Sequence, residues 1–291
     1  MSNPNSRVSS YRLIINADDF GLTRSVNQAI IETYKAGNLT SATLMVNMPG
    51  TEHAVDQAKK NPGLAVGLHF CITEGFPLSE AKTLIDDSGR FLSRGQLIRR
   101  IILGRVDRGD IAEEFEAQLD KFNNYGLTPT HSDSHQHTMM IPFVFDSILP
   151  VLKKHQLKIR VVNPANLNLR LLFSRPLKYL KQSLNALLSK RIIRKYPNKT
   201  NQYLVSIHEL NIDSSRISKA SYTQLVEEID QSKIVELMVH LYLPDHEFKK
   251  MYAADFDQKS VFIDKCILEH KLLSQKPIFD NFELCTFREI D

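Results

Sequence analysis

Arg12-Leu13-Ile14-Ile15-Asn16-Ala17-Asp18-Asp19-Phe20-Gly21 is the stretch from which the fold can be read. Leu13 to Ala17 is apolar and β-branched without strict alternation, the pattern of a strand covered on both faces. It ends on two adjacent carboxylates and a glycine. Thr23 can then cap a helix carrying Val26, Ile30, Ile31 and Tyr34 on one face, with Gly37 to end it. The same rhythm continues along the chain. Ala42–Asn47, Ala65–Phe70, Thr128–Ser132, Lys158–Asn163, Tyr203–Ile207 and Val235–His240 are further strand candidates, and Ile278–Phe287 can supply an eighth. Thr51–Lys60, Gln96–Leu103, Asp110–Phe122 and part of Pro142–His155 are predicted helices between them. Buried strands alternating with crossover helices predict a parallel α/β sheet, closed or nearly closed as a TIM-like (β/α) barrel. A doubly wound open sheet is the alternative. It lacks support from either nucleotide fingerprint, since no GxGxxG or GxxxxGK[ST] occurs. Residues 1–291 are predicted to form a single domain, with 163–200 a helical insertion that breaks the rhythm.

Composition narrows the class. The 291 residues are 42% hydrophobic and 24% charged, ordinary for a globular chain, and 11 Gly and 12 Pro exclude a collagenous one. No apolar run reaches the roughly 18 residues of a spanning helix. Met1–Ser10 is polar and without the apolar segment of a secretory signal. Cys71, Cys266 and Cys285 have no CxxC spacing, and an odd number suits a reducing compartment, so the cytoplasm is the expected location. The net charge of +4 is unevenly spread. Ser147–His208 contains 13 basic residues and no Asp or Glu, leaving −9 for the rest. An acidic body with one basic segment predicts a localised anionic partner, and nothing points to nucleic acid.

The polar residues that interrupt these runs collect at predicted carboxyl ends of strands. Asp18 and Asp19 end the first, His69 lies near the end of the third, and Thr130-His131-Ser132-Asp133-Ser134-His135-Gln136-His137 follows the fourth; His240 ends the seventh. In parallel α/β folds these ends converge on the face where active sites are built. Each has a structural reading: Asp18-Asp19 as a turn pair, His69 and His240 as hydrogen-bonded core histidines, the histidine-rich octapeptide as a solvated loop. Together they form a pool of nitrogen and oxygen donors suited to a divalent metal. An Asp and two neutral His can hold an ion while leaving positions for water and substrate, and a neighbouring carboxylate can take a proton from that water. A histidine across the pocket can protonate a leaving amine. Without a GxSxG elbow, a serine hydrolase is a poor reading.

At Ile15–Gly21, Gly67–Phe70, Thr130–His137 and Glu236–His240 the sequence resembles the YdjC-like carbohydrate deacetylases, the group containing chitooligosaccharide deacetylase. Order and spacing match over roughly Arg12 to Pro244. The resemblance implies a distorted (β/α) barrel and one divalent ion, magnesium or zinc, on Asp19, His69 and His135. Asp18 takes the general-base position and His240 that of the acid or a substrate-orienting group. The implied reaction removes acetyl from an N-acetylated amino sugar and leaves acetate and a free amine. The chain departs from the pattern in two places. Leu241-Tyr242 stands where Pro-Gly often follows the last histidine, and Met139 replaces a frequent histidine, so the pocket rim differs.

Three further residues are candidate substrate contacts: Arg160 at the start of the fifth strand, His131 and His137. The 163–200 segment resembles the branch associated with hopanoids and lipid-linked amino sugars. Its Leu177, Leu180, Leu184, Leu187 and Leu188 recur at helical spacing beside Lys178 and Lys181. Two readings stand. A basic amphipathic helix suits an anionic membrane surface at the inner face. An ordinary surface helix packs its leucines on the barrel and leaves its lysines in water. A lid or a homodimer contact is a third use for the segment. A metal phosphoesterase and a non-catalytic sugar-binding protein remain the alternatives to the deacetylase.

Overall fold

β1 (Arg12–Phe20) is buried from Leu13 onward because it is central, with neighbours on both edges. The computed structural model describes residues 12–165, 170–209, 217–227, 229, 233–251, 256–280 and 282–290; Met1–Ser10 lies outside them. β1 pairs with β2 (Ser41–Leu44) on one side and β6 (Ile234–Val239) on the other. β3 (Ala65–Phe70) and β4 (Ser132–Ser134) extend the first side, and β5 (Tyr203–Val205) the second, giving the order β4-β3-β2-β1-β6-β5. β7 (Glu283–Leu284) pairs with Arg12 and Leu13 at the start of β1. Among the described residues, all seven strands run parallel. The sheet curls into the distorted barrel that the sequence predicts, flanked by helices.

The first crossover forms as the sequence predicts. Thr23 accepts a hydrogen bond from the Val26 amide at the start of α1 (Arg24–Lys35), and Gly37 (φ +79°) turns the chain beyond its end. α2 (Thr51–Lys60), α3 (Arg94–Ile102), α4 (Arg108–Asn124) and α5 (Pro142–His155) occupy the other predicted helical stretches. Within the insertion, α6 (Arg170–Ser174) and α7 (Pro176–Lys195) are helical; residues 166–169 are outside the described set. α8 (Lys219–Glu227), α9 (His246–Met251) and α10 (Phe256–Leu273) complete the α-helices among the described residues.

Two strand predictions need correction. β4 begins at Ser132, so the paired segment lies later than 128–132 and carries Asp133 into the sheet opposite His69. Lys158–Asn163 forms no regular strand. Its contacts are single bridges, Ile159 with Ser132 and with Thr200, and Pro164 with Leu204. The reason is local. The Asn201 side chain takes the Val161 amide at 2.6 Å and donates to the Val161 carbonyl at 3.1 Å, replacing ladder partners. Pro164 then has no N–H to give. This irregular segment still bridges β4 to β5, which brings the two ends of the curled sheet together.

Gly21 and Gly67 hold places no other residue fills easily. Gly21 adopts φ +97°, and a Cβ there would sit 2.5 Å from the Met45 carbonyl oxygen. A Cβ on Gly67 would meet the His131 ring at 2.5 Å.

Candidate active site

Sheet register brings the separated motifs together. His69 pairs across the ladder with Asp133, and Ala17 with Val239, so Asp18 and His240 follow one step further on adjacent strands. Asp19 takes φ +65°, a left-handed turn that directs it away from Asp18. The two neighbouring carboxylates therefore enter different environments.

Asp19 faces histidines. Its Oδ1 is 3.4 Å from His69 Nε2 and 3.2 Å from His135 Nδ1, and its Oδ2 accepts a 2.6 Å hydrogen bond from the Tyr242 hydroxyl. Burial alone would raise the Asp19 pKa; hydrogen bonds from His135 and His69 outweigh this and hold it well below the carboxylate range. On its other side, His69 Nδ1 lies 2.6 Å from Asp133 Oδ1, and Thr43 donates to Asp133 Oδ2 at 3.1 Å. Burial would lower the His69 pKa, but Asp133 overrides it and pushes it up to about 10.

Asp18 faces Arg160. The guanidinium donates to both Asp18 oxygens at 2.7 Å and, through Nε, to Glu236 Oε1 at 2.7 Å, and its Nη1 forms an ion pair with Asp133 Oδ2 at 2.6 Å. Asn16 adds a 3.0 Å bond to Asp18 Oδ1. Burial favours the protonated acid, but the fork from Arg160 prevails and keeps Asp18 ionised. Burial leaves Glu236 pushed up to about 7, since one guanidinium serves three carboxylates. Arg160 is only 3% exposed, which corrects the expectation that it meets substrate. Its contacts aim Asp18 and Asp133.

His240 Nε2 is 3.9 Å from Asp18 Oδ2. Burial, against the pull of Asp18 and Asp19, lowers its pKa and leaves the ring neutral near pH 7. Its backbone N–H donates to Glu269, which also holds His208 Nε2 at 3.0 Å and the Tyr222 hydroxyl at 2.6 Å. His137 lines the same cavity as these groups, and burial with the nearby Arg160 charge pushes its pKa down to about 3. His131 does not line that cavity. It is fully buried, stacked on Phe287 with ring centroids 3.8 Å apart, so its role as a substrate contact is corrected to a core one.

The cavity has a volume of about 690 Å³. Asp18, Asp19, His69, His135 and His240 form one side, and Lys178, Lys181, Gln182 and Asn185 from α7 form another. The donors of Asp19, His69 and His135 lie within 4.8 Å of one another, a carboxylate and two imidazoles that fit a divalent ion. Asp133 behind His69 and Tyr242 behind Asp19 supply the outer contacts that such ligands usually have. Asp18, His69 and Asp133 also cluster, but Arg160 already occupies both carboxylates. Sequence reasoning missed Tyr242, Glu236, Glu269 and His208. Tyr242 was visible as a departure at the rim, and Glu236 opens the motif that ends on His240 without being singled out; Glu269 and His208 sit in stretches without a motif.

A family model described as YdjC-like protein matches residues 12–275, and the chain belongs to that family. A carbohydrate deacetylase of Geobacillus stearothermophilus is 45% identical over 152 residues, 52% of this chain and 60% of that protein. A chitooligosaccharide deacetylase of Yersinia enterocolitica serotype O:8 is 39% identical over 151 residues, covering 51% of this chain and 58% of the relative. The matched stretch thus spans under two thirds of these relatives. A solved structure from Enterococcus faecalis V583, named for cellobiose-phosphate cleavage, superposes with a TM-score of 0.70 at 23% identity, covering 96% of this chain and 98% of that one. It shows the same fold. Among the described residues, no helix is long and apolar enough to cross a membrane.

Proposed function

We propose that this member of the YdjC-like family removes the acetyl group from an N-acetylated amino sugar, using a divalent ion, magnesium or zinc, held by Asp19, His69 and His135. The observation that carries this reading is the division of labour between adjacent aspartates. Asp19 joins two histidines in a metal-type donor set, while Asp18 is separately held ionised and faces a neutral histidine at 3.9 Å. Bound there, the ion would polarise the acetyl carbonyl and make water acidic.

The protein's own groups handle the protons. Asp18 orients the attacking water. Arg160 holds its pKa below the usual carboxylate range, too low for it to keep the proton. His240, neutral and adjacent, takes the proton onward. As an imidazolium it then donates to the departing amine, so one histidine serves as acceptor and donor in turn. His137 and the polar side of α7 are placed to contact the sugar.

The test is acetate release from free, oligomeric, nucleotide-linked and lipid-linked N-acetylhexosamines, with phosphate release from a phosphomonoester measured in parallel. Acetate without phosphate supports the deacetylase. Phosphate without acetate would replace it with the phosphoesterase reading.

A further inference from the structure

α7 is turned inside out. In a surface helix of a globular protein the apolar stripe faces the core and the polar residues face water. Here Lys178, Lys181, Gln182 and Asn185 line the cavity, at the spacing of one helical face. Leu177, Leu180, Leu184 and Leu187, also on one face, are 82%, 64%, 52% and 64% exposed. Phe173, in α6 just before this helix, is 88% exposed as well. The reading in which these leucines pack on the barrel is therefore wrong for these four; Leu188 does pack partly against the core. Helix propensity does not require leucine at such sites, because glutamine, lysine or glutamate serve as well in water. A contiguous exposed apolar surface on one element marks a contact with something else.

The charge around the stripe says what that is. No acidic residue occurs from Ser147 to His208. Lys190 and Arg194 continue the helix beyond the leucines, and both are exposed. Arg191 and Lys195 are anchored on Asp146 of α5, which ties this end of α7 to the barrel. A second copy presenting the same face would set cations against cations. An anionic lipid surface matches both features, taking leucines into the acyl boundary and cations among the headgroups.

We infer that α7 docks the protein on an anionic membrane surface through Phe173, Leu177, Leu180, Leu184 and Leu187, with Lys190 and Arg194 on the headgroups. The opposite side of the same helix lines the catalytic cavity, so docking holds the cavity beside the lipid. This inference does not depend on the proposed chemistry.

The experiment is co-sedimentation of the full chain with vesicles of phosphatidylcholine, with and without 30 mol% phosphatidylglycerol, at low and high salt. Binding to the anionic vesicles at low salt, weakened at high salt, is expected. Leu177→Gln/Leu180→Gln/Leu184→Gln/Leu187→Gln keeps helix propensity and removes the insertion, so partitioning should fall at least about 100-fold. Lys190→Glu/Arg194→Glu should lower it by about 25-fold or more, at about fivefold per cation. Thermal midpoints near wild type would show that the variants fold. If wild type ignores anionic vesicles at low salt, or the leucine variant still binds them, the inference is overturned. If wild type is a dimer that the leucine variant dissociates, and vesicles are ignored, the stripe belongs to a second copy. Acetate release from a soluble substrate should be the same in both variants as in wild type, which separates docking from chemistry.

Discussion

Glu236→Gln should stabilise the protein, and increasingly so as the pH rises. Glu236 is fully buried on β6, with Oε1 on Arg160 and Oε2 without a hydrogen-bond partner. Arg160 also neutralises Asp18 and Asp133, so the cluster holds more negative than positive charge. The protonated acid is favoured in the folded state, with the pKa raised from 4.5 to about 7. Each pKa unit corresponds to about 1.4 kcal/mol, so the ionised form costs ~3 kcal/mol. The sign follows from proton binding. The folded protein holds this proton more tightly than the unfolded chain, so the contribution is intact below pH 4.5, lost up to about pH 7 and constant above. Glutamine keeps the acceptor to Arg160 and has no charge to bury. The stability advantage of the variant should be near zero at pH 4.5 and reach ~3 kcal/mol by pH 7.5. For a chain of this size that is a gain of several degrees in midpoint. Thermal unfolding of chelator-treated wild type and variant, in half-unit steps from pH 5 to 8, measures it. The His69 contribution also declines with pH, from 6.5 toward about 10, but is common to both proteins and cancels in the difference. A pH-independent difference, or a variant less stable than wild type at pH 8, would refute the charge accounting.

Arg160→Met should destabilise by about 3–5 kcal/mol, because it leaves buried carboxylates without their counter-charge; a denaturation midpoint reads this. Arg160→Lys keeps the charge without the fork, and should lower kcat with little change in KM, whereas a rise in KM alone would restore the substrate-binding role. Tyr242→Phe removes the bond to Asp19 and should weaken metal binding about 10–100-fold in a calorimetric titration while the fold is kept. Asp18→Asn should retain metal and lose roughly 10²–10⁴-fold in rate; a loss of stability with the rate intact would make Asp18 a structural residue.

The parts of the site carried by short motifs were legible in the sequence. Asp18, Asp19, His69, His135 and His240 sit where strand ends were expected, because a parallel sheet sends all those ends to one face. The role of Arg160 was not legible. Its partners Asp18 and Glu236 are 142 and 76 residues away, and only the register of three elements reveals one guanidinium among three carboxylates. His131 lies in the same motif as His135 but on the other side of β4's start, where Gly67 leaves room for its ring. The failed fifth strand turned on the Asn201 side chain, which no periodicity encodes. For α7 the spacing of leucines and lysines was plain, yet periodicity gives two faces without saying which one meets the protein. The sequence left an inward-facing and a membrane-facing stripe both open, and the fold leaves four of the leucines exposed.

The most direct test of the central claim is acetate release by chelator-stripped protein from the N-acetylhexosamine it turns over, with and without one equivalent of added divalent ion, beside Asp19→Ala treated in the same way. The account predicts acetate from wild type with the ion, and none above background from stripped wild type or from Asp19→Ala with or without it. Acetate released by the stripped enzyme, or undiminished release by Asp19→Ala, would contradict it.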